Sequence, residues 1–136
     1  NLNGVDLRFA DLSGANLNGV DLRSSNLIGT NFNGANLIES NFSGADLRFV
    51  NLNGANLSGA NLNEANLNGA NFGNTNLSDA SFDGASLKHT TFIGANLTGA
   101  NLIGVKYLNP SQVRVAKDYF QAIYDNDFRM QLGLGT

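Results

Sequence analysis

Asn51–Ala70 decides the fold: cut every five residues it reads NLNGA NLSGA NLNEA NLNGA. The second position is Leu (Leu52, Leu57, Leu62, Leu67), the fifth is Ala, and the first is Asn. Followed outward in both directions, the same frame runs from Asn1 to Val105 as 21 blocks without an insertion. The second position is Leu in 16 blocks and Phe in five (Phe32, Phe42, Phe72, Phe82, Phe92). The fifth is always Ala, Val, Ser or Thr, and the first is Asn or Asp in 18 blocks. The third and fourth positions vary and are mostly polar or Gly.

A period of five fits neither a 3.6-residue helix nor an unbroken two-residue strand. It fits a chain that turns a corner every five residues. In Ala15-Asn16-Leu17 the small and the large residue are two apart, which in extended backbone places them on one face. That pair is expected inside, Asn outside, and the two variable residues at the corner. Gly at the fourth position suits a corner that needs positive φ. Leu17 and Leu57, with Phe32, Phe72, Phe82 and Phe92, are the expected core. The five inner Phe fall only in odd-numbered blocks, which places them on opposite sides of a four-sided coil. Arg8-Phe9, Arg48-Phe49 and Lys88-His89 are spaced by 40, two coils of 20. Stacked coils about 4.8 Å apart give a rod roughly 25 Å tall for residues 1–105. Stacking also sets Asn over Asn, so ladders of side-chain amides are expected along the outside.

The blocks resemble the pentapeptide repeat family, whose pattern A(D/N)LXX is met here by Ala15-Asn16-Leu17-Asn18-Gly19 and Ala55-Asn56-Leu57-Ser58-Gly59, among others. The resemblance covers residues 1–105 and implies an all-β solenoid, a right-handed quadrilateral parallel β-helix of about five coils. Ser25, Thr30, Ser40, Thr75 and Thr90 replace inward Ala, and Ser81, Ser86 and Thr91 replace Asn. The inward hydroxyls need backbone partners if they are buried.

The pattern stops at Lys106, and residues 106–136 read as a C-terminal helical cap. Pro110 suits a first helical turn. Val113, Ala116, Phe120 and Ile123 recur at helical spacing across Ser111–Tyr124, with Arg114, Asp118, Gln121 and Asp125 opposite. A second helix is expected from about Asn126 to Leu132, stopped by Gly133, with a strand-like tail as the lesser option. Such a segment covers the apolar end that a solenoid otherwise exposes. The first coil has no comparable cover. It is expected to be an open edge unless a preceding segment, a partner or a second copy lies on it, so the chain is read as a monomer or a weak end-to-end dimer through that coil.

Composition narrows function. Eight Lys and Arg against eleven Asp and Glu give a net charge of -3, too little base for a nucleic-acid binder. No Cys excludes disulfides and thiolate sites, and no apolar run is long enough to insert in a membrane. His89 is the one histidine and cannot build a usual zinc site alone. No nucleophile set, phosphate loop, metal site or cofactor site is present in the pattern. Glu39, Glu64 and Asp79 lie on a convex rod that offers no shared pocket for acid–base chemistry.

The expectation is therefore a non-enzymatic structural or protein-interaction module with an unidentified protein partner. Its candidate patch is Arg8, Phe9, Arg48, Phe49, Lys88 and His89, because Arg and aromatic residues together are enriched at protein contacts. The Asp-Leu-Arg blocks otherwise read as exposed ion pairs. The family resemblance adds one alternative, a DNA mimic that binds gyrase, which weak net charge opposes. Ice binding is another, opposed by the irregular column Asn18, Ile38, Ser58, Ser78, Thr98. Resemblance to short cyanobacterial and chloroplast proteins with a helical cap, and a first residue that is Asn, point to the thylakoid lumen or periplasm after leader removal. A cytoplasmic protein is the alternative.

Overall fold

The computed structural model describes residues 1–135. Parallel bridges link first-position residues 20 apart in four columns, such as Asp6–Asn26–Asp46–Asn66–Ser86–Lys106 and Asn16–Asn36–Asn56–Asn76–Asn96. One turn of the chain is therefore four blocks, and the solenoid has four sides. The first side holds residues 1–5, 21–25 and so on; the second begins at 6, the third at 11, the fourth at 16.

In the interior blocks all five backbone N–H groups are paired, as residues 26–30 show. Asn26 donates to Val5 O of the preceding coil (2.8 Å), Leu27 to Asp46 O (2.8 Å) and Gly29 to Arg48 O (2.9 Å) of the next. Thr30 closes the corner on Leu27 O (3.1 Å). Ile28 N–H, at the third position, meets Asn26 Oδ1 (3.3 Å). That last bond forms in all 18 blocks that begin with Asn or Asp. It is an Asx turn, and it satisfies the one N–H that no strand neighbour reaches. Asn and Asp thus serve 18 of the 21 corners from within. The amide ladders expected between coils do not form among the described residues; the first-position amide oxygens turn instead to the corner N–H groups of their own blocks.

Where Ser replaces Asn, the preceding coil lends the acceptor. Asn63 Oδ1 takes Asp83 N–H (3.0 Å) and Ser81 Oγ (2.5 Å), and Asn68 Oδ1 takes Lys88 N–H (3.0 Å) and Ser86 Oγ (2.6 Å).

The interior is dry and layered. Every second-position residue from Leu22 to Leu102 and every fifth-position residue from Ser25 to Ala100 is buried. Phe rings from opposite sides meet edge-on, Phe32 with Phe42 at 6.0 Å and Phe72 with Phe82 at 5.9 Å. Phe72 and Phe92, one coil apart on the third side, stack at 5.3 Å. Leu17, expected in the core, is only half-buried: it belongs to the first coil, whose outer face nothing in the described chain covers. Among the buried hydroxyls, Thr30, Thr75 and Thr90 donate to Leu7, Leu52 and Leu67 carbonyls (2.8, 2.6 and 2.8 Å) and Ser25 to Leu22 O (2.5 Å). Ser40 Oγ has no partner.

The C-terminal segment corrects the reading of one long helix. Helix α1 spans only Pro110–Arg114, opened by a capping box in which Asn109 and Gln112 exchange bonds. The chain then returns to extended pairing: Lys117 bridges Asn96, and Ile123 bridges Asn101. A short 3-10 helix, Tyr119–Gln121, lies between, and α2 follows at Asn126–Gln131. The last coil offers unpaired edge groups, and strand pairing satisfies them where a continued helix would not. Ala122-Ile123-Tyr124 therefore repeats the inward–outward–inward step of a block junction. Val113, Ala116, Ala122 and Tyr124 are buried, whereas Phe120 and Ile123 point outward at 54% and 48% exposure. The supposed polar stripe is dispersed: Arg114 donates to Gln131 O (3.1 Å), Gln121 O accepts from Gly99 (3.1 Å), and Asp125 Oδ2 accepts from Gly104 (3.2 Å).

Candidate interaction surface

Every corner needs positive φ at its fourth position, the mark of a type II turn. Thirteen blocks supply Gly there. Eight supply another residue, and all eight take φ between 51° and 59° (Phe9, Ser24, Glu39, Phe49, Glu64, Asn74, Asp79, His89). Ser, Asn and acids fill the corners of the first, third and fourth sides. The rings Phe9, Phe49 and His89 all fall on the second side. Tyr107 is also on that side, beside the bridged Lys106, with φ of 64°.

The rings are placed by a rule of neighbours. Phe9 lies across Gly29 of the next coil, where an added Cβ would sit 2.5 Å from its Cδ1; Phe49 covers Gly69 in the same way (2.6 Å). Glu39 and Glu64 lean over Gly59 and Gly84 likewise. Each non-Gly corner within residues 1–85 is followed 20 residues later by Gly, since the side chain occupies the space a second one would need. Even so placed, Phe9 and Phe49 remain 75% and 67% exposed.

Beside them, each Arg is tied to the Asp of its own block. Arg8 and Asp6 make a two-pronged pair (3.0 and 2.9 Å), as do Arg48 and Asp46 (2.9 and 2.8 Å). Arg23 and Asp21 form the third such pair on the first side (2.9 and 2.8 Å). The guanidinium of Arg23, with its backbone N–H, holds the Asp21 carboxyl down at about 2. Lys88 and Lys106 have no acidic partner among the described residues. Above Lys88 and His89 a shallow cleft of about 400 Å³ opens against Tyr107, Leu108, Asn109 and Gln112. Its floor is fixed, because Gln112 Nε2 donates to Leu87 O (2.8 Å) and Thr90 O (3.0 Å). The second bond replaces a strand amide that α1 removes from this side.

The structure therefore brings Arg8, Phe9, Arg48, Phe49, Lys88 and His89 onto one corner. It adds Tyr107, which sequence reasoning missed because the five-residue frame ends at Val105, two residues before it. No group of acidic and histidine side chains able to hold a metal occurs among the described residues. No helix is long and apolar enough to cross a membrane.

A family model for pentapeptide repeats, in eight copies, matches residues 1–39, 40–79 and 80–106. The chain belongs to the pentapeptide repeat family. Among pentapeptide repeat proteins of solved structure, one from the Arabidopsis thaliana thylakoid lumen is 32% identical, with a TM-score of 0.64, over 99% of this chain and 92% of that one. A second, from the cyanobacterium Cyanothece 51142, is 25% identical with a TM-score of 0.65, over 88% and 91%. QnrB1, a plasmid-mediated fluoroquinolone resistance protein, is also similar in its trypsin-treated form, at 19% identity and a TM-score of 0.44 over 98% and 70%. No curated protein matches the chain. These pentapeptide repeat neighbours are β-helical solenoids, the architecture to which the ring-bearing corner is added here.

Proposed function

We propose that this pentapeptide repeat protein is a non-enzymatic protein-interaction module that meets its partner along the second-side corner. Arg8, Phe9, Arg48, Phe49, Lys88, His89 and Tyr107 form the contact. The observation that carries this reading is that every aromatic ring held at positive φ lies on that one side. A bulky residue in the left-handed region costs of order 1–3 kcal/mol, and Gly fills the same position elsewhere without strain. Phe9 and Phe49 recover little of that cost by burial. Single exposed aromatics are ordinary; a line of them in strained backbone on one corner fits selection for contact.

Affinity capture with the wild-type chain and with Phe9→Ala/Phe49→Ala tests it. Loss of at least one specifically captured protein is expected, and identical capture removes Phe9 and Phe49, and with them the wider corner, from the contact. A second reading, duplex-DNA mimicry, draws on the other three sides of the solenoid, which carry six acids against one base. Those acids are too sparse to imitate a phosphate row at one charge per roughly 1.7 Å. A gyrase supercoiling assay with no inhibition removes it. The likeness to a thylakoid-lumen protein favours the lumen, or the periplasm, as the location.

A further inference from the structure

The charges on the solenoid are sided. The second side, through Lys106, carries four bases (Arg8, Arg48, Lys88, Lys106) against two acids (Asp6, Asp46). The other three sides of residues 1–105 carry one base against six acids. Both second-side acids are already engaged by Arg8 and Arg48. The unneutralised charge is therefore at Lys88, which lines the apolar cleft of Tyr107 and Leu108, and at Lys106, the residue before Tyr107. No carboxylate lines that cleft.

We propose that the cleft and the corner below it bind an extended acidic segment of a partner protein, with one large apolar side chain of that segment seated against Tyr107 and Leu108. This deepens the interaction reading above and rests on it. Three features select this occupant. The cleft offers apolar walls and a fixed floor for one side chain, with Lys88 and His89 at its edge to meet carboxylates. The corner from Phe9 to Tyr107 spans about five coils, roughly 24 Å, which an extended segment of about seven residues would follow. The acidic remaining sides repel such a segment, so charge directs it to the second side. A nucleic acid is the other polyanion, but two free lysines cannot neutralise a phosphate row.

The test is a random-peptide display selection on the full chain. Affinity of the most enriched peptide is then measured by fluorescence anisotropy, with a duplex oligonucleotide of equal charge in parallel. Enriched peptides are expected to combine net negative charge with a large apolar residue. Lys88→Glu is expected to weaken binding by about tenfold or more, as is raising salt from about 50 to about 500 mM. Tyr107→Ala should weaken it without altering the melting temperature, because the ring is exposed. Neutral or basic winners, affinity untouched by Lys88→Glu, or equal binding of the oligonucleotide would each overturn the proposal. The two readings separate cleanly. If capture depends on Phe9 and Phe49 but not Lys88, the corner stands and the acidic segment falls. If it depends on Lys88 but not the Phe pair, the cleft stands and the wider corner falls.

Discussion

At the scale of single residues, two side chains test the hydrogen-bond accounting. Ser40 Oγ is buried among apolar neighbours without a partner, and an unpaired buried hydroxyl costs about 1–3 kcal/mol. Ser40→Ala is expected to stabilise the chain by about 1 kcal/mol, read as a higher urea midpoint at unchanged slope. Thr75, whose hydroxyl meets Leu52 O at 2.6 Å, supplies the opposite control, since Thr75→Ala loses a bond and opens a methyl-sized gap. Asp21 tests the ion pairs. Its folded pKa of about 2 lies below the ordinary carboxylate value near 3.9. A depressed carboxyl stabilises the fold fully above its unfolded pKa and loses that contribution as pH falls through the folded one. The window is therefore from about 4 down to about 2. A carboxyl ¹³C titration should show the Asp21 midpoint near 2; a midpoint near 4 would mean the fork to Arg23 does not persist in solution.

At the scale of elements, the C-terminal segment shows where sequence periodicity misled. Val113, Ala116, Phe120 and Ile123 carry helical spacing, yet only Val113 and Ala116 turn inward. The deciding term was not local. Lys117 and Ile123 pair with an open sheet edge, giving hydrogen bonds that the sequence window could not show. Only the small–outward–large order of Ala122-Ile123-Tyr124 matches a block junction, and Ile and Tyr stand where the blocks carry Asn and Leu or Phe. Helix α1 survives because Gln112 closes both its own N-terminus and the last corner of the second side. Gln112→Ala is expected to leave the solenoid folded while amide exchange rises about tenfold or more around residues 94–102 and 117–123. Exchange confined to residues 110–114 would show instead that the cap does not depend on this side chain.

At the scale of the molecule, the stacked corners protect chemically weak bonds. The sequence has five Asn-Gly steps at corners, at Asn3, Asn18, Asn33, Asn53 and Asn68. Deamidation there requires the Gly nitrogen to attack the Asn side chain. Each of those nitrogens is held as a donor to the next coil, for example Gly34 to Asn53 O at 2.9 Å and Gly69 to Lys88 O at 2.9 Å. Mass spectrometry after incubation at about pH 8 should find these sites intact in the folded protein and converted in urea, consistent with the thermal lability of Asn. Equal rates in both would show that the coils open faster than they protect.

What the sequence determined by itself was the five-residue frame, the inward pairing of small with large residues and the columns spaced by 20. All three follow from local steric rules repeated without interruption, so no distant information was needed. The outward corner that carries Phe9 and Phe49 was legible for the same reason. Tertiary structure alone decided why Asn or Asp begins 18 of the 21 blocks, how Ser81 and Ser86 borrow acceptors from the coil before, and which way the C-terminal segment turns. Those outcomes depend on which backbone groups neighbouring coils leave unpaired. That is settled only when the coils stack.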